Sequence, residues 1–259
     1  MTDLPSEFLF ALAAIAQEAG RVLLRHFRGP TVVRHKSDGS PVTAADEEAE
    51  AVILSRLALL APQLPVIAEE QMVRHPSESP EARFFLVDPL DGTEEFVRGR
   101  DEFTVNIALI DSGHPICGTV VAPAKNRGFF GASGEGAFEF PASIDLPDFK
   151  TAHRIHAREV PEQGPTVLVS RTHAHGEAQA FAGQGAQIMP VASSLKFAVL
   201  AAGEADLYPR RGPTMEWDTA AGHALLEAAG GRMETESGGI FRYGKPSFRN
   251  PGFIARGAI

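Results

Sequence analysis

The segment Asp88-Pro89-Leu90-Asp91-Gly92-Thr93 directly follows the apolar run 84–87, and this junction constrains the chain more than any other stretch. A short apolar run that ends in turn-forming residues predicts a buried strand. In open sheets covered by helices, the chemistry commonly sits where strands exit. Pro89 restrains the backbone and Gly92 permits close approach, so a stiff turn offers two carboxylates three residues apart that can converge on one point. Two further segments offer acids in similar places. The apolar run 65–68 ends in Glu69-Glu70, and Glu216-Trp217-Asp218 opens a predicted helix with an acid at its N-terminus.

The rest of the chain surrounds these exits with alternating helices and strands. Apolar residues from Phe8 to Phe27 recur at helical spacing, and Gly29-Pro30 supplies a stop. Residues 36–41 read as a loop, after which Thr43 and Asp46 have the spacing of a capping box that opens a helix to about Leu60. Strands are predicted at 103–110 and 116–121, followed by a Gly-rich hairpin around 131–136, which together make an antiparallel meander. The second half predicts a strand at 166–170, a helix near 194–202, a strand at 205–208 and a helix over 218–229. The expected fold class is α/β, with an α+β N-terminal half (1–145), an α/β C-terminal half (146–259) and the break within 141–165.

Composition narrows the function. Asp and Glu number 33 against 24 Lys and Arg, for a net charge of -9, which argues against a nucleic-acid polymer as partner. An anionic small molecule would need local cations. The one cysteine, Cys117, has no disulfide partner within the chain and reads as a packing residue, consistent with a reducing cytoplasm. Gln17 and Glu18 interrupt the apolar N-terminal stretch, and nothing approaches the roughly 20 apolar residues of a membrane span. A soluble cytoplasmic protein is expected.

If Glu69, Asp88, Asp91 and Asp218 meet, each pair about 4 Å apart repels by roughly 4 kcal/mol at an effective dielectric near 20. Divalent cations resolve that conflict, and an oxygen-only set suits hard ions such as Mg2+. His173 and His175 are spaced as a zinc pair could be, but no third ligand is evident nearby.

Together, Glu69-Glu70, Asp88-Pro89-Leu90-Asp91-Gly92-Thr93-Glu94-Glu95-Phe96 and Trp217-Asp218-Thr219-Ala220-Ala221-Gly222 make the chain resemble the inositol monophosphatase superfamily of lithium-sensitive, Mg2+-dependent phosphatases. Ser170-Arg171-Thr172-His173, Ser193-Ser194-Leu195-Lys196-Phe197 and Leu207-Tyr208-Pro209-Arg210 make it similar, within that group, to bacterial 3'(2'),5'-bisphosphate nucleotidases. The resemblance implies a layered αβαβα sandwich whose two halves share one active site. It also implies hydrolysis of a small phosphorylated substrate, adenosine 3',5'-bisphosphate first and inositol monophosphate or a related sugar phosphate second, with two or three Mg2+ ions.

By the same resemblance, Glu69, Asp88 and the carbonyl of Leu90 hold one ion, and Asp88, Asp91 and Asp218 another. Thr93, oriented by Asp46, activates the attacking water, with Glu70 assisting. Substrate contacts are expected from Glu69, Leu90, Asp91, Gly92, Thr93, Arg171, His173, Ser194, Lys196 and Asp218. Glu94 departs from the pattern by placing an acid where similar nucleotidases often carry Lys. A non-catalytic metabolite-binding protein is the rival from another class, and monomer and homodimer both stay open.

Overall fold

Among the described residues, two large sheets and two helix pairs alternate, with apolar sheet faces packed against the helices. The computed structural model describes residues 6–29, 32–36, 39, 41–74, 82–142, 149–171 and 185–258. Helix α1 (Ser6–His26) and helix α2 (Ala44–Leu60) pack on each other and on the larger sheet. Between them lie β1 (Arg34–His35) and β2 (Pro41–Val42), a two-stranded ribbon. Thr43 caps α2 with both arms of the capping box in place, so the local sequence signal sets where Asp46 begins.

The larger sheet follows. Its strands are β3 (Val66–Ala68), β4 (Arg83–Asp91), β5 (Thr104–Asp111), β6 (His114–Ala122), β7 (Arg127–Ala132), β8 (Gly136–Pro141) and β9 (His153–Ile155). They stand in chain order, β3 parallel to β4 and the rest antiparallel. Side chains alternate between two interiors, as the pleat requires. Phe85, Val87, Ile107 and Phe130 join the core under α1 and α2, while Phe84, Leu86, Ala108 and Phe129 face the other way. Two short helices interrupt the run: α3 (Glu69–Arg74) after β3 and α4 (Thr93–Val97) after β4.

Strand β4 continues through the segment read from sequence as a turn. Asp88 pairs with Asn106 and Asp91 with Thr104, with a register irregularity between them. Pro89 has no N–H to give a ladder, and a bulge here bends the strand and swings Asp91 toward the cleft.

In the second half β10 (Thr166–Val169), β11 (Gln187–Pro190), β12 (Leu207–Arg210), β14 (Arg232–Thr235) and β16 (Phe253–Arg256) form a sheet in the order β11-β10-β12-β16-β14. Strands β13 (Thr214–Met215) and β15 (Arg249–Asn250) make a separate ribbon. Helices α5 (Leu195–Ala201) and α6 (Ala220–Ala228) fill the space between the sheets. A Cβ on Gly118 of β6 would lie 2.6 Å from the carbonyl oxygen of Ala221, so α6 rests directly on the larger sheet.

The described layers are therefore helix pair, sheet, helix pair, sheet, the layered mixed sandwich expected from the sequence. The larger sheet runs past residue 145 to Ile155, and one core joins Phe84 and Leu86 to Leu168, Phe197, Tyr208 and Phe253 across both halves. Cys117 is buried in the α1 and α2 core. Among the described residues no helix is long and apolar enough to cross a membrane.

Candidate active site

Strand exits, helix starts and one bulge bring the acids together. Glu69 opens α3 after β3, Asp88 and Asp91 end β4, and Asp218 stands just before α6. Glu69, Asp91, Gly92, Thr93, Ser194, Lys196 and Asp218 line a single cavity of about 680 Å3. Asp88 and Glu70 are buried behind it.

Gly92 adopts φ +93°, and a Cβ there would meet the carbonyl oxygen of Glu102 at 3.2 Å, so this corner requires glycine. The corner turns Thr93 toward α2. Its hydroxyl lies 3.2 Å from Asp46 Oδ1 and 3.1 Å from the Leu90 carbonyl oxygen, and its proton goes to one or the other. Asp46 Oδ2 accepts from the Thr43 N–H at 2.8 Å and the Thr43 hydroxyl at 2.7 Å. One carboxylate thus both caps a helix and orients a hydroxyl at the cavity wall.

Electrostatics show how crowded the acids are. Burial raises Asp88 well above the usual carboxylate range, and Glu69, Asp91 and Asp218 raise it further. Burial, then Asp91 and Glu69, do the same to Asp218. Burial also lifts Glu69 to about 7, against the opposing pull of Lys36, and Asp46 to about 6, against its bonds from Thr43. Lys36 Nζ lies 2.6 Å from both Glu69 Oε1 and Glu70 Oε1 and is nearly buried. Burial alone would lower Lys36, yet these two carboxylates hold it above its ordinary value.

The donor set fits hard cations, because Glu69, Asp88, Asp91, Asp218 and the Leu90 carbonyl contribute oxygen only, and burial with mutual repulsion raises Asp88 and Asp218 despite the nearby cations. Among the described residues, no three His, Cys, Asp or Glu side chains form a ready-made ligand cluster. Protein donors occupy several of the oxygens instead: Ser194 N–H on Asp91 Oδ2 at 2.5 Å, the Met215 N–H on Asp218 Oδ2 at 2.8 Å and the Leu90 N–H on Asp88 Oδ1 at 3.0 Å. An entering cation would have to compete with Lys36 for Glu69 and share Asp91 with Ser194.

The cations expected to face substrate are placed less simply. Lys196 lines the cavity, but its Nζ donates to the carbonyls of Ser193 at 2.6 Å and Val191 at 3.3 Å and sits 5.1 Å from the Tyr208 ring centroid. Burial, with a contribution from Arg210, lowers it to about 8. Arg171 forms a two-pronged bond with Glu102 and is not among the residues lining the cavity. His173 lies outside the described residues.

Arg210, at the end of β12, is a wall residue that sequence reasoning left without a role, and its Nε is buried with no hydrogen-bond partner among the described residues. The motif Leu207-Tyr208-Pro209-Arg210 was the only signal for it. Tyr208 and Glu94 also line the cavity, Glu94 paired with Arg98 at 3.5 Å.

The chain is similar to known proteins in sequence and in fold. A 3'(2'),5'-bisphosphate nucleotidase CysQ of Escherichia coli (strain K12) is 42% identical over 244 residues, 92% of this chain and 95% of that protein. The crystal structure of CysQ from Bacteroides thetaiotaomicron superposes with a TM-score of 0.81 at 31% identity, covering 98% of each chain. An inositol monophosphatase from Anabaena gives a TM-score of 0.73 at 26% identity, over 100% of this chain and 92% of that one. Residues 4–256 match the profile of the Inositol monophosphatase family, and the chain belongs to that family.

Proposed function

We propose that the chain is a Mg2+-dependent phosphomonoesterase acting on a nucleoside 3'(2'),5'-bisphosphate, with adenosine 3',5'-bisphosphate converted to AMP and phosphate. The observation that carries this reading is one cavity lined by carboxylates from three segments, Glu69, Asp91 and Asp218, with Lys196 and Arg210 in the same wall. The 42% identity to a CysQ nucleotidase over 92% of the chain supports the substrate class.

Glu69, Asp88, Asp91, Asp218 and the Leu90 carbonyl would hold the ions. When bound, Mg2+ supplies a lowered water pKa and charge stabilisation at the entering and leaving oxygens. The chain's own residues do the rest. With the Thr93 hydroxyl proton directed to Asp46, Thr93 can take a proton from the attacking water as its own passes to Asp46 Oδ1. Asp46, held at both Thr43 donors, fixes that direction. Glu70 shares Lys36 with Glu69 and through it keeps Glu69 oriented. The amides at the Gly92 corner and the start of α4 can receive phosphate oxygens, as backbone donors do in other anion-binding turns.

Arg210, in the cavity wall and with no partner for its Nε among the described residues, is the guanidinium best suited to the phosphate that stays on the nucleotide. A panel of adenosine 3',5'-bisphosphate, inositol 1-phosphate and fructose 1,6-bisphosphate with Mg2+ tests the proposal. Preference for the nucleotide supports it; a tenfold or greater preference for inositol 1-phosphate would overturn the substrate assignment.

A further inference from the structure

Ser194 meets Asp91 from outside the acidic cluster, and Asn106, far away in sequence, meets Ser194. Ser194 is 2% exposed, and its Oγ lies 2.7 Å from the Asp218 carbonyl oxygen, 2.8 Å from the amide nitrogen of Asn106 and within hydrogen-bond distance of Asp91 Oδ2. A hydroxyl has one proton and two lone pairs. The Asn106 amide fills one lone pair, so the proton is directed to Asp91 or to the Asp218 carbonyl. Ser194 also donates its backbone N–H to Asp91 Oδ2. Asn106 is 1% exposed on β5, opposite Asp88, and is not among the residues lining the cavity.

The loop that presents Ser194 is braced at successive residues. Arg171 donates to the Pro190 carbonyl at 3.1 Å, and Lys196 to those of Val191 and Ser193. The Ala192 N–H donates to Glu102 Oε2 at 3.0 Å, and Glu102 itself holds Arg171. Ser193 sits at φ +52°, a backbone state that a non-glycine residue keeps only when its surroundings enforce it. The bracing is directed at one outcome, a fixed Ser194.

We infer that Asn106 and Ser194 form a strut that sets the position of Asp91 against Asp218, and thereby the affinity of the cluster for a divalent cation. Asn106 is then a positioning residue that acts through Ser194, from the first sheet to the second half of the chain. The inference rests on the metal-dependent reading above. It also recasts Ser194, whose hydroxyl proton is committed to Asp91 or Asp218 rather than to substrate.

The test is Mg2+ titrated calorimetrically into wild type, Asn106→Ala and Ser194→Ala without substrate, with kcat and KM then measured at saturating Mg2+. Residues that orient metal ligands typically alter affinity by about 10- to 100-fold. Both variants should raise the Mg2+ Kd by about tenfold or more, while for Asn106→Ala KM for adenosine 3',5'-bisphosphate at saturating Mg2+ stays within about twofold. A folded Asn106→Ala with wild-type Mg2+ affinity overturns the inference, as does a Ser194→Ala that raises KM and leaves Mg2+ affinity unchanged. Should Asn106→Ala fail to fold, Asn106→Leu, similar in volume but lacking the amide, makes the same measurement. A wild-type chain that takes up no Mg2+ overturns the functional reading and the inference together; normal wild-type uptake with an unshifted variant overturns the inference alone.

Discussion

Asp46→Asn separates the two tasks of one carboxylate. Its Oδ2 accepts two bonds from Thr43, and its Oδ1 accepts from Thr93 at 3.2 Å. An asparagine has one acceptor oxygen, and the buried Thr43 N–H, which donates to Asp46 Oδ2 in the wild type, should claim it. The amide NH2 then faces Thr93 and reverses that hydrogen bond, so Thr93 has no carboxylate to pass its own proton to when it takes one from water. Helix α2 keeps its cap, and the stability cost should fall within the range of about 0.5–2 kcal/mol seen for cap losses. Turnover should drop by about 10²–10⁴-fold, the usual range for a lost general base. Steady-state kinetics with Mg2+ and thermal unfolding of the same preparation read the two effects separately. The pH profile adds a third reading: burial lifts Asp46 to about 6, so wild-type kcat/KM should fall as pH drops below about 6, a limb the variant lacks. A variant with turnover within threefold of wild type would refute the assignment of Thr93 and Asp46, and a loss of folding without a selective loss of turnover would leave Asp46 as a helix cap alone.

Chelation should abolish hydrolysis and Mg2+ restore it, and the pH dependence of stability should differ between the two states. Asp88, Asp218 and Glu69 are raised in the folded chain, so without metal it binds more protons than the unfolded chain and loses stability as pH climbs from about 4 towards 7. Thermal unfolding in EDTA should therefore show a higher Tm near pH 5.5 than near pH 7.5, with the larger Mg2+ stabilisation at pH 7.5; equal Tm values would contradict the crowding of these acids. Arg210→Ala should lower kcat/KM for adenosine 3',5'-bisphosphate by about 10- to 100-fold and leave inositol 1-phosphate nearly unaffected, because a charge-assisted bond contributes roughly 1.5–3 kcal/mol; equal losses on both substrates would place Arg210 elsewhere. Gly118→Ala should lift α6 from the larger sheet, with a loss of about 1–3 kcal/mol in chemical denaturation, since its Cβ would lie 2.6 Å from the Ala221 carbonyl oxygen. An unchanged midpoint would mean that the helix and strand yield without cost.

Local signals determined much of the architecture before any coordinates. Helical periodicity placed Ser6–His26, the Thr43 and Asp46 spacing placed the start of α2, and apolar runs ending in acids placed the exits of β3 and β4. These rules act within about four residues along the chain, so sequence order alone carries them. Strands β11, β14 and β16 escaped because each is short and mixes polar with apolar residues, as in Gln187–Pro190 and Arg232–Thr235. The carboxylates of the site were legible as types, since helix starts and strand exits point their acids toward a common edge. What each cation does was decided only by tertiary structure. Arg171 meets Glu102 across 69 residues, Ser194 meets Asn106 across 88 and Asp91 across 103. No propensity or period reaches that far: such partners are chosen when two layers close on each other and every buried donor must find an acceptor, which left Arg171 and Lys196 bracing a loop and Arg210 facing the cavity.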